Sequence, residues 1–197
     1  AEVVDLGGAA LYPGFVDSHA HLLGVGMREL TLNLEGVGSV EEMVDIIAAN
    51  VAEARPGETI YGRGWIETGW PEGRFPARDD LDPVSPDNPV VLYRPDGHAA
   101  LANSAALDAA GVGADTPDPE GGRIDRDAEG RATGMLIDNA MALVGGLVAA
   151  PDAAQREEAY RTGGEVYAAY GWTGVHNMSG DPADVPIMAR LAASGAL

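Results

Sequence analysis

No cysteine occurs in this chain of 197 residues. Disulfides and thiolate catalysis are therefore excluded, and any bound metal has to be held by nitrogen and oxygen donors. No run of about 18 apolar residues is present, which excludes an ordinary transmembrane helix. The opening residues show no basic stretch followed by an apolar one, so no secretory signal is visible and the expected compartment is the cytoplasm. Positive charge is scarce: 12 basic residues, every one an arginine, face 31 acidic ones, for a net charge of -19. A field of that sign repels nucleic-acid phosphates and anionic membrane surfaces, leaving small molecules as the expected partners. It also suits solubility at high salt, where self-repulsion is screened.

What is present starts with a histidine pair. An apolar run from Leu11 to Val16 leads into Asp17-Ser18-His19-Ala20-His21. Read as a strand, it puts Asp17, His19 and His21 on one face and Ser18 and Ala20 on the other. The two imidazoles then leave the backbone roughly 6 to 7 Å apart, within reach of one metal ion at about 2.0 to 2.1 Å per bond. Two histidines at this spacing also occur simply facing solvent or making ordinary hydrogen bonds. Pro13-Gly14 favours the metal reading by placing the pair at the end of a strand. Asp17 is positioned to orient a ligand from behind.

Further along, Leu22 to Leu34 is mixed and glycine-bearing and reads as a loop. Ser39-Val40-Glu41-Glu42 has capping-box spacing, and Val40, Met43, Val44, Ile47 and Val51 recur at helical period until Arg55-Pro56-Gly57. Thr59–Tyr61 and Pro89–Tyr93 read as strands, the second buried on both faces. Glycine and proline break up residues 62–88, where Trp65 and Trp70 either close a cleft or anchor the loop. Ala99 to Ala110 reads as a helix ending at Gly111, which puts His98 at a strand-to-helix junction. There it caps a helix, bonds a loop carbonyl or faces a pocket. Arg94 either positions a polar substrate or pairs with an acidic side chain, and Asn103 either contacts substrate or lies on a helix surface. Asp127-Ala128-Glu129-Gly130 predicts a β-hairpin, and Asn139 to Ala149 a helix. Asp152 and Gln155 predict the start of a long helix that Gly171 ends. Gly163-Gly164 weakens that helix by about 1 kcal/mol per glycine. Thr173–His176 reads as the next strand.

Four blocks carry a resemblance: Pro13–His21, Pro89–Leu107 with Asp96-Gly97-His98 and Asn103-Ser104, Thr116–Ile124, and Gly171–Met178. In this order the chain resembles the metal-dependent amidohydrolase superfamily, and within it the YtcJ-like branch, amidohydrolase family 3. The resemblance implies an α/β fold, part of a TIM-like (β/α)8 metal-dependent hydrolase barrel with an inserted β-hairpin and loops. A closed barrel of that kind takes about 250 residues, and the family's chains are longer still. The expectation is therefore an internal fragment: residues 1–12, opening with Glu2-Val3-Val4-Asp5-Leu6, link from a missing β-sandwich, and 13–197 form the N-terminal part of the barrel, with an insertion over about 62–150. Leu191–Leu197 offers no obvious closing element.

The resemblance assigns His19 and His21 to one or two divalent ions, zinc first, with manganese or iron sharing the same donors. It implies His98, His176, Trp65, Arg94 and Asn103 as substrate-binding residues. The expected reaction is hydrolysis of a non-peptide C–N bond, an amide or N-acyl bond, by metal-activated water. Deamination, phosphoester hydrolysis and a non-catalytic metal-binding role are the alternatives. Two more histidines, a bridging carboxylate or carboxylated lysine and a proton-shuttling aspartate are implied by the family. No later block carries them here, and the chain has no lysine at all. The catalytic acid and base are thus unassigned, and the chain alone is expected to be inactive without the remainder of its polypeptide. Homo-oligomerisation is left open.

Overall fold

The computed structural model describes residues 3–197. Its elements in chain order are β1 (Phe15–Ala20), α1 (Leu22–Leu30), β2 (Leu32–Asn33), α2 (Val40–Glu53), β3 (Ile60–Arg63), α3 (Arg78–Leu81) and β4 (Val90–Tyr93). They continue with β5 (Ala99–Ala102), α4 (Ser104–Ala109), β6 (Gly122–Arg126), β7 (Ala132–Asp138), α5 (Ala142–Gly145), α6 (Ala153–Ala169), β8 (Trp172–Asn177) and α7 (Val185–Ser194). This is a mixed α/β chain of two compact units, Ala1–Glu29 with Pro151–Leu197, and Leu30–Ala150. No helix among the described residues is long and apolar enough to cross a membrane.

The contiguous unit is built on a six-stranded sheet of order β2-β3-β4-β5-β7-β6. β2, β3 and β4 run parallel, and β5, β7 and β6 add on antiparallel. The period-two alternation of a strand distributes its residues between two cores. Val90, Leu92, Leu101 and Met135 pack with Met43 and Ile47 of α2, while Val91, Ala102 and Leu136 pack with Leu107 and Ile124. α2 starts where Ser39 Oγ accepts the Glu42 amide at 3.0 Å. The Glu42 carboxylate answers one residue early, taking the Gly38 amide at 2.8 Å.

The discontinuous unit holds β1 and β8 as a parallel pair. Its helices cross at glycines. A Cβ on Gly26 of α1 would sit 1.7 Å from the Ala159 carbonyl oxygen, and one on Gly163 of α6 would sit 2.4 Å from that of Leu22. Gly163 therefore weakens α6 locally but lets α1 lie directly against it. Leu22, Tyr160, Ile187 and Leu191 form the core of this unit. α6 begins with a reciprocal box, Asp152 accepting from the Gln155 amide and Gln155 from the Asp152 amide, each at 2.9 Å.

Three local expectations are corrected. The segment read as a loop after His21 is α1, because Gly26 is a packing residue there and not a breaker. Ala99–Ala102, read as helix, is a fully buried strand hydrogen-bonded between β4 and β7, where small side chains suit a central position. The helix begins only after Asn103, so His98 stands in the β4–β5 turn. The helix read over 139–149 is reduced to a 3-10 turn, Asn139–Met141, and the single-turn α5. In the segment read as a link, Glu2 lies outside the described residues; Val3 to Gly14 forms no regular element beyond a turn at Gly7–Gly8.

Candidate functional site

β1 delivers the histidine pair. Its ladder with β8 shifts register once between Phe15, opposite Trp172, and Val16, opposite Gly174, and again after Asp17, opposite Val175, so that Ser18 and His19 together oppose His176 before Ala20 meets Asn177. A bulge of this kind re-aims side chains at a strand end. Asp17 compensates it: its Oδ1 accepts the His19 amide at 2.9 Å. The His19 and His21 rings lie edge to face with centroids 5.2 Å apart, both on exposed residues. His21 Nδ1 pairs with Ser179 Oγ at 2.9 Å, leaving Nε2 as the nitrogen not so engaged. His176 is also exposed and belongs to the strand beside the bulge.

Two residues not singled out from sequence tie this corner together. Ser179 fixes the His21 ring, and Asn177 Oδ1 accepts the Leu22 amide at 3.1 Å, fastening the end of β8 to the start of α1. The Asn177 Nδ2 donor is buried with no hydrogen-bond partner among the described residues. Asp17 also faces Tyr167, whose phenol is held above its ordinary pKa, first by burial and then by the carboxylate. A cavity of about 380 Å³ lies in the same unit against Tyr167, Trp172 and Val175, and no histidine lines it.

The other sequence-predicted residues sit in the contiguous unit. Trp65 is completely buried, its Nε1 donating to the Leu92 carbonyl at 3.0 Å and its ring 6.2 Å from that of Trp70. The Arg94 guanidinium lies 6.0 Å over the Trp65 ring. It faces Glu67 at 3.6 Å and Asp96 at 3.4 Å. Asn103 is also completely buried. Its Oδ1 accepts the amides of Val90 and Ala106, each at 2.9 Å, and its Nδ2 donates to the carbonyls of Ser85 and Asn88, each at 2.9 Å. Asn103 thus caps α4 and clamps β4 to the preceding loop.

His98 projects from the β4–β5 turn with its side chain 74% exposed. Its Nδ1 meets Asp138 Oδ1 at 2.8 Å. That hydrogen bond, reinforced by the carboxylate charge, raises the imidazole pKa above the usual histidine value. Asp138 is the sole described non-glycine residue with positive φ, at φ 48° and ψ -122°.

Chemically, the His19–His21 corner offers two imidazole rings and one hydroxyl. Among the described residues there is no group of three or more His, Cys, Asp or Glu placed to hold a metal ion. The pair is therefore a partial donor set. Two nitrogens at this spacing match the donor type of a zinc site but fill half of a tetrahedral shell.

Comparison with known proteins matches the chain to a sequence family. The sequence model described as amidohydrolase family matches residues 2–197. YtcJ of Bacillus subtilis (strain 168) is 40% identical over 154 residues, 78% of this chain and 29% of that protein. N-substituted formamide deformylase of Arthrobacter pascens is 37% identical over 146 residues, 73% of this chain and 27% of that one. An uncharacterized metal-dependent hydrolase from Pyrococcus furiosus superposes with a TM-score of 0.55 at 29% identity, over 94% of this chain and 36% of that chain. The chain spans well under half the length of each of these relatives.

Proposed function

Because the chain belongs to the amidohydrolase family, we propose that it is part of a metal-dependent hydrolase that cleaves a C–N bond of an amide or N-acyl small molecule with activated water. The observation that carries this reading is the His19–His21 pair, two exposed rings 5.2 Å apart at the end of a parallel strand. The relative named for deformylating N-substituted formamides supports the bond type. The solved relative named as a metal-dependent hydrolase supports the metal.

β1 with α1, and α6 with β8, are read as strands and helices of a (β/α)8 barrel. The two strands run parallel, yet Phe15 and Val16 are more than half exposed. Parallel strands are normally covered on both faces, as they would be in a larger sheet. The site then lies at the C-terminal ends of the strands, where such barrels build their chemistry.

His19 and His21 would hold the ion, with zinc the best match to a nitrogen and oxygen donor set and manganese or iron next. When bound, such an ion polarises the substrate carbonyl and lowers the pKa of water towards neutrality. The chain's own groups prepare the ligands. Asp17 holds the His19 backbone at the bulge, and Ser179 fixes the orientation of His21 through Nδ1. His176, on the neighbouring strand, is assigned to contact substrate. Trp65 and Asn103 do not enter the proposal, since the hydrogen-bonding groups of both are engaged inside a core. The remaining ligands are assigned to the parts of the family's longer chains that this sequence does not cover.

The test is metal content and turnover of the contiguous longer protein with an N-substituted formamide, with elemental analysis for the metal. His19→Ala and His21→Ala are each expected to lower bound metal and remove turnover. Retention of stoichiometric metal and full turnover by either variant rejects the assignment.

A further inference from the structure

We propose that Asn177-Met178-Ser179, at the end of β8, is a clamp that makes Nε2 the metal-binding nitrogen of His21. Ser179 and Asn177 are its positioning residues. The proposal rests on the hydrolase reading for the ion alone, and the clamp itself lies wholly within the discontinuous unit.

Three consecutive residues hold three others. The Met178 amide donates to the Ala20 carbonyl at 2.8 Å, immediately before His21. Asn177 Oδ1 accepts the Leu22 amide at 3.1 Å, immediately after it. Ser179 Oγ meets Nδ1 of His21 itself at 2.9 Å. The His21 carbonyl is engaged as well, accepting the Val25 amide at 3.0 Å as α1 begins. With its backbone bracketed on both sides, the side chain keeps only its χ1 and χ2 rotations, and the Ser179 contact restrains those.

Stability does not account for this arrangement. His21 and Ser179 are both exposed, where one hydroxyl–imidazole hydrogen bond adds little to folding. Asn177 meanwhile keeps Nδ2 buried with no hydrogen-bond partner among the described residues, a feature that calls for a reason other than packing. The nitrogen that a histidine offers to a metal is set by the bond that its other nitrogen makes. With Nδ1 turned to Ser179, Nε2 is the nitrogen left for an ion, on a ring 5.2 Å from that of His19. A hydroxyl can donate to bare Nδ1 or accept from Nδ1–H. Occupation of Nε2 leaves the ring's one N–H on Nδ1, so Ser179 then serves as acceptor and the same contact holds the ligand in place.

The first arm of the test is free of metal: long-range proton–nitrogen NMR of the histidine rings in the 197-residue chain, in excess EDTA at about pH 8, above the ordinary histidine range. Ser179→Ala should shift the His21 Nδ1 signal and leave those of His19 and His176 in place, and Ser179→Thr, which keeps a hydroxyl, should restore it. Asn177→Ala, with the hydroxyl intact, should shift the same signal. The second arm loads the contiguous longer protein with zinc. Ring-labelled histidine should show Nε2 of His21 bound and Nδ1 protonated. By chelator competition Ser179→Ala should bind zinc about 10-fold or more weakly, the scale for losing a ligand's hydrogen-bonding partner, and Ser179→Thr should recover the affinity. An unmoved Nδ1 signal in metal-free Ser179→Ala overturns the clamp, whatever zinc does. Zinc seated on Nδ1 of His21, or bound through Nε2 with equal affinity in Ser179→Ala, overturns the proposal as well. The expected metal-free shifts with no zinc at His21 reject the ion, and with it the assignment of Nε2.

Discussion

Asp184 closes the discontinuous unit, and its removal has a calculable cost. The residue is 2% exposed, ends the 3-10 turn Pro182–Asp184 and stands at the N-cap of α7. Arg156 Nε donates to its Oδ1 at 2.8 Å, the Arg156 NH2 group binds its Oδ2, and the Tyr160 hydroxyl donates to Oδ2 at 2.8 Å. Arg156 and Tyr160 are one turn apart on α6, so one carboxylate joins α6 to α7. Asp184→Ala removes bonds to a charged group, worth about 1.5 to 3 kcal/mol net, and strands the buried Tyr160 hydroxyl at about 1 to 3 kcal/mol. The Arg156 side chain is 24% exposed and lies 3.8 Å from Asp181, so it recovers part of its solvation and a partner. The net expectation is about 3 to 4 kcal/mol, the lower part of the range for breaking a buried pair. Asp184→Asn keeps an acceptor for Tyr160 and should cost about 1 to 2 kcal/mol. Hydrogen exchange over 153–169 and 185–194 under graded urea is the appropriate assay, because a chain of two units need not unfold in one step. Arg156→Met with Asp184→Leu should recover part of the loss, since no charge is then left buried while the Tyr160 hydroxyl still lacks its acceptor. A loss below about 1 kcal/mol for Asp184→Ala, or no recovery in the double variant, refutes the reasoning.

The phenol of Tyr160 is raised from 10.0 to about 12, first by burial and then by its bond to Asp184. Its unfolded form ionises first, so the unit should lose about 2 to 3 kcal/mol as pH rises from about 10 to 12, a slope that Tyr160→Phe reduces in alkaline unfolding curves. At the acid end the sign reverses. Arg156 holds the Asp184 carboxyl below its ordinary range, so its stabilisation is present above the unfolded carboxylate pKa and fades as pH falls through the folded one. Gly26→Ala drives a Cβ to 1.7 Å from backbone oxygen of Ala159 and should cost about 3 kcal/mol or more by thermal unfolding. Asn103→Ala loses a helix cap and strands buried partners at Val90, Ser85 and Asn88, with an expected cost of about 3 to 4 kcal/mol and exchange losses centred on β4 and α4.

What was legible in the sequence was whatever a few consecutive residues decide. Ser39, Asp152 and Gln155 cap helices where their spacing predicts, and the Asp127–Gly130 turn joins β6 to β7. The His19 and His21 rings are neighbours, but they meet past a bulge that the alternation does not predict. What was not legible depends on partners far along the chain. Ala99–Ala102 has helical composition and becomes a strand because β4 and β7 flank it. α1 needs the carbonyl face of α6 against Gly26. Ser179 lies 158 residues from the ring it fixes, and Asp138 lies 40 from His98. No local pattern announces either pairing, and the unusual backbone of Asp138 leaves no trace in composition.

The pairing of β1 with β8 also sets a timetable. Phe15 meets Trp172 only after the whole contiguous unit has been made. At about 5 to 20 residues per second of synthesis, β1 waits roughly 8 to 30 seconds for its partner strand. Closing a loop of about 150 flexible residues also costs roughly 4 to 5 kcal/mol in chain entropy. Residues 30–150 form a contiguous unit, so folding that unit first replaces most of the loop with a fixed span and lowers the entropic barrier to joining the strands. The histidine corner is therefore assembled after the contiguous unit, and its rate of appearance should track the folding of a unit that contributes none of its residues.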